Sequence, residues 1–196
     1  MSRRNESGFS LVELLVVISL IGIIVVTFAS FFTNYLILYS KYQKDSLNFG
    51  EMAQQSQRIS QVLRGLTDIV SESANEITVY AYFAPSDTYV SQVHYYLDGS
   101  GKKLLVDITP MTANPPNGTL LTGQTKTYTI ISNFYKAPGV NLFNYYDAGG
   151  TQLTLPIADQ HSILQIQVNL AEPAEHGTKS QDLSISVSLR NRKTNL

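Results

Sequence analysis

Glu13 is the residue whose type and position most suggest chemistry, because it sits at the start of an uninterrupted apolar run. A carboxylate placed deeply in an apolar phase costs about 2.5–3.5 kcal/mol, so it needs a cationic partner. No Lys or Arg lies between Leu14 and Ser40, so its own helix supplies none and a lateral partner from a neighbouring chain is expected. The other chemically able residues form no constellation. His94, His161 and His176 are scattered, and none sits at i,i+4 spacing with another or with a carboxylate in a metal-binding motif. Asp147-Ala148-Gly149-Gly150 offers one carboxylate where calcium takes six to eight oxygens, so it reads as a turn. Gly99-Ser100-Gly101 lacks the residues of a phosphate-binding or nucleophile-elbow motif. Asn117-Gly118-Thr119 is a formal glycosylation sequon in an expected exposed loop. With no acid, base and nucleophile in one pattern, no enzyme, cofactor or metal site is expected.

Composition narrows the class further. Net charge is −1, which gives no electrostatic basis for nucleic-acid binding. Charged residues make up 15%, against roughly 25% in ordinary soluble domains, so Ser, Thr, Asn, Gln and Tyr carry much of the polar surface, as in many exported proteins. The absence of cysteine excludes disulfides, thiolate metal sites and thiol nucleophiles. Nine tyrosines between Tyr80 and Tyr146 combine apolar rings with polar tips, suited either to strand packing or to a surface patch for neighbours or ligands.

The elements that must position these residues follow from periodicity. Leu14 to Phe32 reads LLVVISLIGIIVVTFASFF, and about 20 apolar helical residues cross the hydrocarbon layer. Arg3 and Arg4 precede it, and Lys41 and Lys44 follow after a longer gap, favouring a cytoplasmic N-terminus and an exported remainder. A cleaved signal peptide ending near Thr27-Phe28-Ala29, a plain signal anchor and a buried core helix are the general alternatives. Three- and four-residue spacing continues through Phe49, Met52, Ile59, Val62, Leu63, Leu66, Ile69 and Val70, predicting an amphipathic continuation of the helix over 39–75. From Glu76 the period becomes two. Strands are expected at Ile77 to Phe83, Tyr89 to Leu97, Lys103 to Ile108, Thr125 to Ile131, Val140 to Tyr146, Ile163 to Leu170 and Leu183 to Leu189. Asp98-Gly99-Ser100-Gly101 closes one hairpin, Met111 to Gly123 is a loop, and Ala171 to Gln181 joins the last pair. The expected fold is α+β, a long helix packed on an antiparallel β-sheet head.

Gly8-Phe9-Ser10-Leu11-Val12-Glu13-Leu14-Leu15-Val16-Val17 closely resembles the N-terminal motif of type IV pilins and type II secretion pseudopilins. The resemblance implies a leader over 1–8 with charges Arg3 and Arg4, cut between Gly8 and Phe9 by prepilin peptidase, with N-methylation of Phe9. It implies an assembly helix over 9–38 and a head over 76–196. Glu13 then pairs with the free N-terminal amine of an adjacent subunit, which is the lateral cation its energetics call for. Other pilin subunits, the peptidase, the cytoplasmic membrane and, indirectly, the assembly platform with its ATPase are the implied partners. The precursor is placed in the cytoplasmic membrane and the product in a cell-surface filament. Ser30 stands where many major pilins carry a helix-kinking proline, a departure that points away from a major subunit. The order of YYLDGSGKKLL, LFNYYDAGG, an alternating strand pair and VSLRNR resembles minor pilins and pseudopilins of the PilW and PulJ type. A pseudopilin serving secretion and an adhesive module displayed at a filament tip are the alternative roles.

Overall fold

The computed structural model describes residues 10–173 and 180–190. The chain divides into two units, residues 1–46 and 47–196. A single helix, α1, spans Leu11–Arg64 and contributes its first part to one unit and its outer turns to the other. Ser10 starts it: the Glu13 backbone N–H donates to Ser10 Oγ at 3.2 Å, and Leu14 N–H reaches the Ser10 carbonyl at 3.1 Å. Nothing inside the apolar run interrupts it, since Ser19 and Thr27 return their hydroxyls to the carbonyls of Leu15 and Ile23, each at 2.8 Å. Thr33 does the same to Ala29 at 2.8 Å. These three hydroxyls are therefore satisfied within the helix, the condition for placing such residues in lipid.

The helix ends at Arg64 and does not continue to 75 as the spacing predicts. Gly65 N–H is shared between the carbonyls of Gln61 and Val62, at 3.3 and 3.2 Å, and Thr67 N–H already bonds Tyr80 O at 2.8 Å. Residues Asp68–Glu72 form strand β1, in which Ile69 is buried and Val70 is exposed. Both are β-branched, and pairing with the next strand outweighs a helical period that Leu66, Ile69 and Val70 fit equally well. Phe49, expected on the buried stripe, is also exposed.

Among the described residues, the head within 47–196 holds two antiparallel sheets, where one was expected. The first has the order β1-β2-β3-β4-β5, with β2 at Glu76–Ala81, β3 at Ser91–Leu97, β4 at Leu104–Pro110 and β5 at Lys126–Ile131. The second runs β6-β7-β8, at Phe143–Tyr146, Gln165–Glu172 and Gln181–Ser188. Between β5 and β6 the segment with Pro138 and the positive-φ Gly139 leaves the first sheet. Phe143 N–H then bonds Ala74 O at 3.1 Å, beside the end of β1 rather than β5.

Period-two alternation puts Ile77, Val79, Val93, Tyr95, Leu104 and Val106 inward, and Met52, Ile59, Val62 and Leu63 of the helix, with Leu66 just past its end, join the same core. The β3–β4 turn forms as expected. Asp98 Oδ1 accepts from Lys102 and Lys103 N–H at 2.9 and 3.0 Å, Ser100 Oγ donates to Oδ2 at 2.7 Å, and Gly101 takes φ +67. The Ser100 hydroxyl, then the Lys103 amide, hold the Asp98 carboxyl below its ordinary value.

Two tyrosines are fully buried and differ in one respect. Tyr145 donates its hydroxyl to Ser73 O at 2.9 Å, whereas Tyr95 Oη has no hydrogen-bond partner. Burial pushes both phenols up from 10.0, so both stay protonated. Opposite responses to the same substitution are expected. Tyr95→Phe removes a buried unpartnered hydroxyl and stabilises the head by about 1 kcal/mol, while Tyr145→Phe loses a made bond and costs about 1 kcal/mol. Urea unfolding of the two variants, followed by circular dichroism, checks the sign of each.

Candidate functional site: the N-terminal helix

Residues 11–40 of α1 present an exposed, largely apolar surface. Leu11, Leu15, Ile18, Ile23, Val26 and Phe28 are all more than half exposed, and they point to every side of the helix. None of the most apolar window of α1 is buried, and the helix is long and apolar enough to cross a membrane. Each such side chain left in water forgoes about 1.5–3 kcal/mol, so this surface requires lipid or other apolar helices around it. A soluble core helix is thereby excluded, because its apolar face would be covered by its own domain.

Glu13 lies in the first turn of α1, at the third helical position after Ser10. The amino end of a helix carries a partial positive charge, which favours an acid there. Among the described residues nothing donates to the Glu13 carboxylate, so its acceptor capacity faces outward at the apolar helix's beginning. The role of Ser10 as helix cap is a residue-level feature that the sequence reading passes over; its signal is the Ser-x-x-Glu spacing of a capping box. Arg3, Arg4, Gly8 and Phe9, named for the leader and its processing, lie outside the described residues.

The remaining sequence candidates are dispersed over the head. His94 Nε2 lies 3.3 Å from Glu76 Oε2 across the β2–β3 pair, and its ring stacks on Tyr96 of its own strand at 4.6 Å. His161 pairs with Asp159 at 3.4 Å, both exposed, and His176 is outside the described residues. Asp147 Oδ1 is occupied by the N–H groups of Gly149 and Thr151 at 2.9 and 2.8 Å, with Gly150 at φ +77, so this segment is a hydrogen-bonded turn. Asn117 is exposed at a loop turn. Among the described residues no group of three or more His, Asp or Glu is placed to hold a metal ion. The tyrosines separate by environment: Tyr95 and Tyr145 belong to the core, while Tyr82, Tyr89, Tyr128 and Tyr135 face solvent.

Residues 3–29 match the family model of the prokaryotic N-terminal methylation motif. No curated protein matches the chain significantly. A membrane-length apolar helix with this motif fits a membrane-anchored precursor. The methylation motif, the exposed helix behind it and the α+β head together support a type IV pilin-like or pseudopilin subunit.

Proposed function

We propose that the chain is a minor pilin, cut after Gly8 by prepilin peptidase, methylated on Phe9 and built into a cell-surface filament at or near its tip. The exposed apolar helix with an acid in its first turn carries this reading. Leaving the bilayer for a bundle of like helices keeps the apolar surface out of water, so extraction replaces one apolar environment by another. Glu13 meets the methylated amine of an adjacent subunit. A pair of this kind contributes little net stability but fixes axial register, because any other register leaves both charges unpaired. The helix holds no nucleotide-binding motif, so the work of extraction belongs to a separate ATPase on the assembly platform. Ser30 in place of proline leaves α1 unkinked through this stretch, which favours a minor over a major subunit.

Filaments sheared from the native host test the role. Quantitative immunoblotting is expected to find the chain in the filament fraction at far below one copy per dominant subunit. Equal stoichiometry with the dominant subunit, or absence from the fraction, contradicts a minor pilin.

A further inference from the structure

The face of the head beside the outer helix turns carries two adjoining clefts, of about 540 and 500 Å³, that share Arg58, Phe83 and Ala84. Each volume falls within the range of small-molecule sites. Their ring faces come from Phe83, Tyr82, Tyr89 and Tyr128, of which Tyr82, Tyr89 and Tyr128 are 41%, 44% and 47% exposed. Phe83 stacks on Tyr128 with centroids 6.3 Å apart, and the Arg58 guanidinium lies 4.7 Å over the Phe83 ring. Planar amides share the first cleft: Gln54, Gln55, Gln57 and Gln61 line it, and the buried Gln55 Oε1 has no hydrogen-bond partner.

The segment that presents these rings is held in place. Asn114 Nδ2 donates to Tyr82 Oη at 3.3 Å, and Asn114 Oδ1 accepts Val90 N–H at 2.9 Å. Asp87 Oδ2 accepts Ala84 N–H at 2.8 Å, so the one carboxylate lining either cleft is engaged in closing its own loop. Arg58 and Lys126 are the cations on the walls, and the charge offered to a ligand is positive. Preorganised walls of this kind lower the ordering cost of binding.

Exposed ring faces, with planar amides in the adjoining cleft, match a chain of sugars. The C–H face of a pyranose packs on a ring whose face is electron-rich, and vicinal hydroxyls match the paired donor and acceptor of an amide. The surplus of cations selects a sugar bearing an anion. We infer that the two clefts form one binding site for an acidic oligosaccharide, with Tyr128 as the stacking platform and Arg58 and Lys126 as the anion partners. This site is a property of the head and holds whether or not the chain enters a filament. A peptide is the rival occupant. It calls for apolar pockets that take alternate side chains, whereas amides and ring faces share these walls.

Calorimetry of the full-length protein in detergent micelles, with a linear galacturonate tetrasaccharide and the uncharged maltotetraose as probes, tests the inference. The acidic probe is expected to bind more tightly, with an affinity that falls as salt rises. Tyr128→Ala is expected to weaken binding of the acidic probe at least about tenfold, and Tyr128→Phe, which keeps the ring, to preserve it. Replacing Arg58 and Lys126 by glutamine is expected to weaken the acidic probe about tenfold and to erase its advantage over the neutral one. Near-ultraviolet circular dichroism identifies any variant that fails to fold, and Tyr128→Phe then serves as the folded reference beside Lys126→Gln alone. Absence of binding by either probe overturns the inference, as does binding that Tyr128→Ala and the charge variants leave intact. Self-association of the chain that Tyr128→Ala abolishes, without saccharide binding, assigns the site to a second copy instead.

Discussion

Glu13→Gln is expected to remove the chain from filaments while leaving it in the membrane. The variant keeps the helix start, because Ser10 caps the backbone N–H of residue 13 and glutamine serves a capping box as well as glutamate does. What it loses is the charge. Under the proposed pairing, the amine of the adjacent subunit is then left unpaired in an apolar interface, at a cost of about 3–5 kcal/mol. That corresponds to a loss of incorporation of at least about a hundredfold. Immunoblots of sheared and membrane fractions from complemented cells read both quantities. Undiminished incorporation reduces Glu13 to a residue that starts a helix; loss from the membrane as well points to insertion rather than assembly.

Leu63→Ala is expected to produce the largest loss of stability in the head. Leu63 is fully buried in the core shared by the outer helix turns and the first sheet. Truncating it removes apolar contacts and leaves a cavity, at a cost of about 2–5 kcal/mol. In a domain of this size the midpoint of thermal unfolding falls by roughly 4–20 °C. Tyrosine fluorescence follows the transition cleanly, since the chain has no tryptophan. The exposed Leu15 supplies the contrast: its replacement by alanine leaves this transition unmoved, because Leu15 is no part of the head's core.

Legibility in the sequence tracked how local each signal is. The apolar run, the acid at its head and the Asp98–Gly101 turn depend on residues within a few positions of one another, and all three stand where they were expected. The β7–β8 pair was equally legible, because strict alternation through Leu164 to Leu170 and Leu183 to Leu189 can describe only a half-buried strand; pairing runs from Gln165 with Ser188 to Glu172 with Gln181. The end of the helix was not legible. Leu66, Ile69 and Val70 satisfy a helical stripe and a strand alike, and the choice was made by β2, which offers Thr67 and Ile69 their partners. Nor does periodicity say which strands share a sheet, so the break between β5 and β6 went unseen. The candidate site divides in the same way. Glu13 is legible from its own surroundings. Arg58, Phe83 and Tyr128 meet only through the tertiary fold, and residue type alone does not separate a buried Tyr95 from an exposed Tyr89.

Intact-mass and N-terminal analysis of the protein from its native host bears most directly on the proposal that it is a processed pilin-like subunit. A mature chain that begins at Phe9 and carries one methyl group on its amine is the expected result. A chain that begins near Ser30, or one that retains Met1 in cells that process other prepilins, contradicts it.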